Sequence, residues 1–322
     1  MADLSTKALN TSKVNIADSF LQVVKVARPI HWIKNASLFA AIIFSGNLLV
    51  EPYFNRVILA FLSFGFASSA TYIFNDIFDM ENDRAHPIKK NRPLASGRLS
   101  LPLAILANVI FVTLAIYIAA NLNTLFLLSI GAYLSMQALY SLGLKNIPII
   151  DILIIAAGFI LRVYAGAFVI DAHLSVWFLL CVISVALFLA SGKRRAELGV
   201  MPEGKTRISL TKYQRELLTS YVTMFGNAAW MSWALFTFFE SPLPSTRLWL
   251  LLAEISRTTT ISKLLMVTIP VVIFGIMRYE ALIFENRSES PESLFLRDKA
   301  LVGSALIWIG VVVWVLYGGF VV

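Results

Sequence analysis

The chain has 322 residues, of which 58% are hydrophobic and only 14% charged. A soluble domain carries about a quarter charged residues, so a water-facing globule is excluded, and the mean hydropathy of +0.76 agrees. The net charge of +8 therefore points to anionic headgroups or anionic substrates, and no nucleic-acid partner is expected. One cysteine, Cys181, excludes an internal disulfide framework and a thiolate metal site.

In chain order, Met1–Asn15 is polar and lacks the apolar core of a secretory signal; it is expected to be flexible. Ile16–Ala27 has roughly helical apolar spacing, predicting an amphipathic entry helix on the membrane that leads to Trp32. Apolar runs then predict about nine spans, near Ile33–Leu49, Val57–Phe78, Leu101–Ala119, Leu125–Leu142, Ile147–Ile170, Val176–Leu189, Leu217–Phe239, Leu264–Ile283 and Leu301–Tyr317. Leu248–Ile255 is too short to span and is expected at the interface. No repeat or low-complexity stretch divides the chain, so residues 1–322 read as a single transmembrane domain. Lys and Arg gather in the loops Arg84–Arg98 and Lys193–Arg215 and around Asn286. With the N-terminus inside, all three loops face the cytoplasm, as expected in the inner (plasma) membrane. The expected fold is an all-α integral membrane bundle around a central cavity open to cytoplasm and lipid. The sequence leaves homo-oligomer formation open.

The strongest chemical signal follows the second span: Asn75-Asp76-Ile77-Phe78-Asp79-Met80-Glu81-Asn82-Asp83. Asn75, Asp79 and Asp83 recur every four residues and share a helix face, which suits a hard cation such as Mg²⁺ with its taste for oxygen. The clustered acids repel one another unless a cation sits among them. Asn75 and Asp76 also interrupt an apolar run, where polar residues are costly. Lys89 and Arg92 follow closely, in a loop stiffened by Pro87 and Pro93. Acid beside base is what a metal-bound diphosphate needs, because Lys and Arg take the oxygens the metal leaves.

The pattern Asn75-Asp76-x-x-Asp79-x-x-x-Asp83, then Lys89-x-x-Arg92-Pro93-Leu94-x-x-Gly97, resembles the first Asp-rich motif of the UbiA superfamily of intramembrane prenyltransferases. Arg28-Pro29-x-x-Trp32-x-Lys34-Asn35 and Tyr140-Ser141-x-x-Leu144-Lys145 are similar too. That resemblance places Tyr140 and Lys145 in the site; Lys34, at the start of the first span, either meets a phosphate or snorkels. Members of the superfamily typically carry a second acidic motif after the sixth span. Here that position reads Ser191-Gly192-Lys193-Arg194-Arg195-Ala196-Glu197, which resembles the branch of decaprenyl-phosphate phosphoribosyltransferases, as does Leu161-Arg162-x-x-Ala165-Gly166.

This branch implies an Mg²⁺-dependent transfer of 5-phosphoribosyl from phosphoribosyl diphosphate (PRPP) to a polyprenyl phosphate, toward cell-wall arabinan. The implied metal ligands are Asn75, Asp79 and Asp83, with Lys193, Arg194 and Arg162 as holders of the remaining phosphates. Asp151 could orient Lys145 or Arg194, or bind a ribose hydroxyl; Glu197 is the only acid of its segment. Tyr213 and Arg215 are weaker candidates for a lid or a phosphate contact. The alternative is an aromatic prenyltransferase moving a polyprenyl chain onto 4-hydroxybenzoate or a similar acceptor, which predicts a second acidic motif. A transporter predicts paired broken helices, which the sequence does not suggest.

Overall fold

In hydrocarbon the backbone must satisfy its own polar groups, so apolar runs become helices. A computed structural model describes residues 16–86, 89–200, 213–240, 261–285 and 297–318, and every regular element among them is helical. Met1–Asn15, Pro87 and Leu248–Ile255 lie outside the described residues.

The α-helices are α1 (Ile16–Ala27), α2 (Phe39–Phe44), α3 (Glu51–Phe78), α4 (Met80–Ala85), α5 (Leu101–Ala120), α6 (Thr124–Leu142), α7 (Ile150–Ile170), α8 (Val176–Val200), α9 (Arg215–Phe239), α10 (Ile269–Phe284) and α11 (Lys299–Tyr317). Seven of the described helices are long and apolar enough to cross a membrane: α3, α5, α6, α7, α8, Lys263–Phe284 and α11. The two other expected spans are helical but fall short of that measure. The first is split into a 3₁₀ stretch, Pro29–Leu38, and the six residues of α2. The seventh lies in α9, whose 25 residues are long enough but include Thr219, Ser220, Thr223, Asn227, Ser232 and Thr237.

A 3₁₀ run of ten residues is unusual, and its neighbours hold it. A Cβ on Gly65 of α3 would stand 2.7 Å from the Trp32 ring, so only glycine admits that indole. Trp32 Nε1 then donates to Ser69 Oγ at 2.9 Å. Before this stretch, α1 lays Val23 and Val26 against Ile73, Leu94 and Leu99. Phe20 and Leu21 stay exposed on its outer side, the amphipathic division the sequence predicts.

One core joins the first stretch to α3, α6 and α7 through Leu38, Ile42, Phe64, Phe126 and Ile130. A second joins α8, α9 and α11 through Phe178, Trp233, Phe236, Val312 and Val315. Between them lies an apolar cavity of about 390 Å³, walled by Ala40, Phe159, Val163, Trp233, Ile276 and Trp308 among others. A second pocket of about 250 Å³, holding Ser45, His173, Ser175 and Glu240, opens at the end where α7 passes to α8. Phe44 and Phe178 line both. Their ring centroids are 5.0 Å apart, and Phe236 packs against them at 5.5 and 5.3 Å.

Candidate active site

The acidic row survives because the helical repeat continues where α3 ends. Asp79 closes α3 at φ −90° and ψ 4°, yet its N–H donates to Asn75 O at 2.9 Å, and Asp83 N–H donates to Asp79 O at 2.8 Å. Asn75, Asp79 and Asp83 therefore keep one face into α4. Asp76 is off the row and meets Arg28.

Asp76 and Asp83, both buried, and the half-buried Asp79 are each matched by a cation of the chain. Lys145 Nζ donates to both oxygens of Asp79, at 2.6 and 2.8 Å. Arg28 Nη2 donates to both oxygens of Asp76, at 2.6 and 2.8 Å. Arg92 Nη1 bridges Asp76 at 3.0 Å and Asp83 at 2.6 Å. Without such partners, burying these carboxylates would cost several kcal/mol each. Asn75 Oδ1 accepts from Ser141 Oγ at 3.3 Å.

A second group forms beside the first. Arg194 of α8 is wholly buried. Its guanidinium lies 2.6 Å from Asp151 Oδ2 as an ion pair off the hydrogen-bonding angle. It also donates to Glu197 and, at 2.7 Å, to Tyr140 Oη. Tyr213 Oη donates to Asp151 Oδ1 at 2.7 Å and accepts the Ile149 N–H. Burial pushes the Tyr213 phenol above its ordinary range, so it stays a donor. Ile149 has φ 69°, a strained setting for a β-branched residue, and Tyr213 holds it there. The end of α6 ties the groups together: Tyr140 serves Arg194, Ser141 serves Asn75, and Lys145 beyond them serves Asp79.

Arg162 lies apart, about 16 Å along α7 from Asp151. It donates to Asn35 Oδ1 at 2.7 Å, Gly158 O at 2.7 Å and Tyr133 Oη at 2.9 Å, and it covers the Tyr133 ring at 4.8 Å. All these partners are neutral. Arg194 and Arg162, both expected from the sequence at phosphates, thus spend these donors on the protein itself. Lys34, Lys89 and Lys193 are half-buried. On α8 the cavity-lining positions Val182, Val185, Ala186 and Leu189 form a stripe, and Lys193 is the next member of it. Lys193 forms no ion pair with any described residue.

The row supplies one amide oxygen and two carboxylates, a donor set that fits Mg²⁺ when water and substrate oxygens complete the shell. Among the described residues no three His, Cys, Asp or Glu side chains make a metal-holding group. Arg28 was legible only as part of an entry motif, and its pairing with Asp76 bridges 48 positions. Ser141 stood inside a quoted motif and Tyr213 was a candidate lid or phosphate contact, but their contacts with Asn75 and Asp151 had no local signal.

The UbiA prenyltransferase family model matches residues 36–197. The chain belongs to the UbiA prenyltransferase family. It is 33% identical over 312 residues to the decaprenyl-phosphate phosphoribosyltransferase of Corynebacterium glutamicum, covering 94% of this chain and 88% of that one. The protein of the same name from Mycolicibacterium smegmatis is 33% identical over 300 residues, covering 90% and 91%. Among solved structures, a UbiA homolog from Archaeoglobus fulgidus bound to GPP and Mg²⁺ superposes with TM-score 0.65 at 18% identity, over 94% of this chain and 100% of that one. That likeness carries the fold.

Proposed function

We propose that this UbiA-family protein transfers 5-phosphoribosyl from PRPP to a polyprenyl phosphate, its acidic row facing the cytoplasm across the inner membrane. The observation that carries the reading is the end of α8. A user of prenyl diphosphate would place a second acidic row there. This chain places Lys193, Arg194 and Arg195 there, and Glu197 is bound to Arg194. The relatives of matching length from Corynebacterium and Mycolicibacterium support the same reaction.

Asn75, Asp79 and Asp83 would hold Mg²⁺, which when bound screens the diphosphate and makes it a better leaving group. Lys145, Arg92 and Lys89 offer donors to the diphosphate oxygens. Lys193, one turn beyond the cavity-lining stripe of α8, meets the lipid phosphate while the polyprenyl chain lies in the cavity and runs on into the bilayer; Lys34 is a further phosphate contact. A phosphate oxygen of the lipid bonds to the anomeric carbon, the bond from that carbon to the diphosphate breaks, and the diphosphate leaves with the electron pair. The lipid phosphate is already anionic, so no strong general base is needed. The ribosyl-cation-like transition state is stabilised by the fixed charges around it, and the anomeric centre inverts.

The test is transfer of ribose-labelled PRPP into the lipid phase with Mg²⁺ and a polyprenyl phosphate. Label should appear only with Mg²⁺ and fall by about a hundredfold or more in Asp79→Ala and Lys193→Ala. No transfer of ribose, with prenyl diphosphate and 4-hydroxybenzoate reacting instead, would establish the aromatic prenyltransferase in its place.

A further inference from the structure

We propose that Lys145 is the resident counter-ion of Asp79, and that divalent cation and diphosphate enter this site only as a pair, Lys145 passing from the carboxylate to the diphosphate as they arrive. The inference rests on the function proposed above and concerns how its donor is taken up.

Lys145 is 8% exposed, and its ammonium sits on both Asp79 oxygens. It therefore competes directly for the carboxylate that a cation would use. Its backbone is pinned in the turn between α6 and α7, where Asn146 N–H donates to Gly143 O at 2.9 Å and Ile147 N–H donates to Leu144 O at 3.1 Å. Any exchange must come from the four-carbon stem, which is flexible and carries a compact charge.

The surrounding acids decide where that charge can go. Asp76 is held by Arg28 and Arg92, Asp83 by Arg92, and Asp151 and Glu197 by Arg194. Among the described residues the buried carboxylates Asp76, Asp83 and Asp151 are all paired already, so an ammonium displaced from Asp79 finds none of them left to receive it. A cation binding alone would strand Lys145 as an unpaired, largely buried charge. A diphosphate binding alone would draw Lys145 away and leave Asp79 bare beside an incoming anion. Either half is unfavourable, whereas together they exchange one ion pair for two. Arg92 differs in this respect: releasing Asp83 still leaves it Asp76. The coupling therefore runs through Lys145.

Full-length protein in nanodiscs would be titrated with Mn²⁺ by electron paramagnetic resonance, with and without PRPP. In wild type, Mn²⁺ alone should bind weakly and PRPP should tighten it by about tenfold or more. In Lys145→Gln, Mn²⁺ alone should bind about tenfold tighter than in wild type, while the gain from PRPP shrinks. Lys145→Arg keeps the charge and should bind Mn²⁺ alone as weakly as wild type. Mn²⁺ alone should also raise the Tm of Lys145→Gln more than that of wild type. If Lys145→Gln binds Mn²⁺ alone no tighter than wild type, or if Lys145→Arg binds it as tightly as Lys145→Gln, the exchange is wrong while the phosphoribosyl reading stands. A wild type that never binds Mn²⁺ and PRPP together overturns both.

Discussion

Arg194 has almost no accessible surface and faces two acids and a tyrosine. A guanidinium so enclosed is a strut between α6, α7 and α8 before it is a phosphate ligand. Removing one member of a buried ion pair leaves the other uncompensated, at about 3–5 kcal/mol. Arg194→Met should lower thermal stability by that order, and Asp151→Asn in the same chain should restore part of it. Additive losses in that double-mutant cycle would show that the two residues do not depend on each other. At this scale the sequence reveals what repeats locally. Asn75, Asp79 and Asp83 were readable because four-residue spacing is helix geometry. Arg92, the partner of Asp83, was readable nine positions on, but the pairing of Lys145 with Asp79 was not, because it reaches across 66 positions and no spacing rule spans that distance.

The helices themselves were readable from apolar run length, and their ends from charge and proline. The broken first stretch was not: its 3₁₀ course depends on Trp32 entering the gap at Gly65 and on Asn35 meeting Arg162, both tertiary contacts. At the start of α11, Asp298 accepts the Leu301 N–H at 2.8 Å and takes Arg278 Nη2 at 2.6 Å. These bonds, the Arg278 one foremost, hold its carboxyl down at about 2, from an ordinary value of 3.8. A carboxylate with a lowered folded pKa stabilises the fold above its unfolded pKa and loses that stabilisation as pH falls through the folded one. Asp298→Ala should therefore melt below wild type at neutral pH, and the gap should close as pH drops from about 4 toward 2. A gap independent of pH would show that the Asp298 charge is not what anchors α11.

For the molecule as a whole, the all-helical bundle and a central cavity were legible, whereas the residues that wall the cavity were not, since they come from six separate stretches of chain. Gly275 of α10 lines it, and a Cβ there would meet only Ser304 Oγ, at 3.6 Å. Gly275→Leu should fold and fill the cavity. It should raise the KM for polyprenyl phosphate by about tenfold or more while leaving that for PRPP unchanged; equal changes in both would place the lipid chain elsewhere. The layer formed by Phe44, Phe178 and Phe236 bears on a different demand. A protein with a charged vestibule at one end and a pocket holding His173 and Glu240 at the other risks becoming a leak for protons and ions. Those rings offer a passing ion nothing to replace its hydration shell, at a penalty of several kcal/mol or more. The layer thus stands between the polar pocket and the apolar cavity, so water and charged substrates admitted at the acidic end meet a barrier before the far end of the bundle.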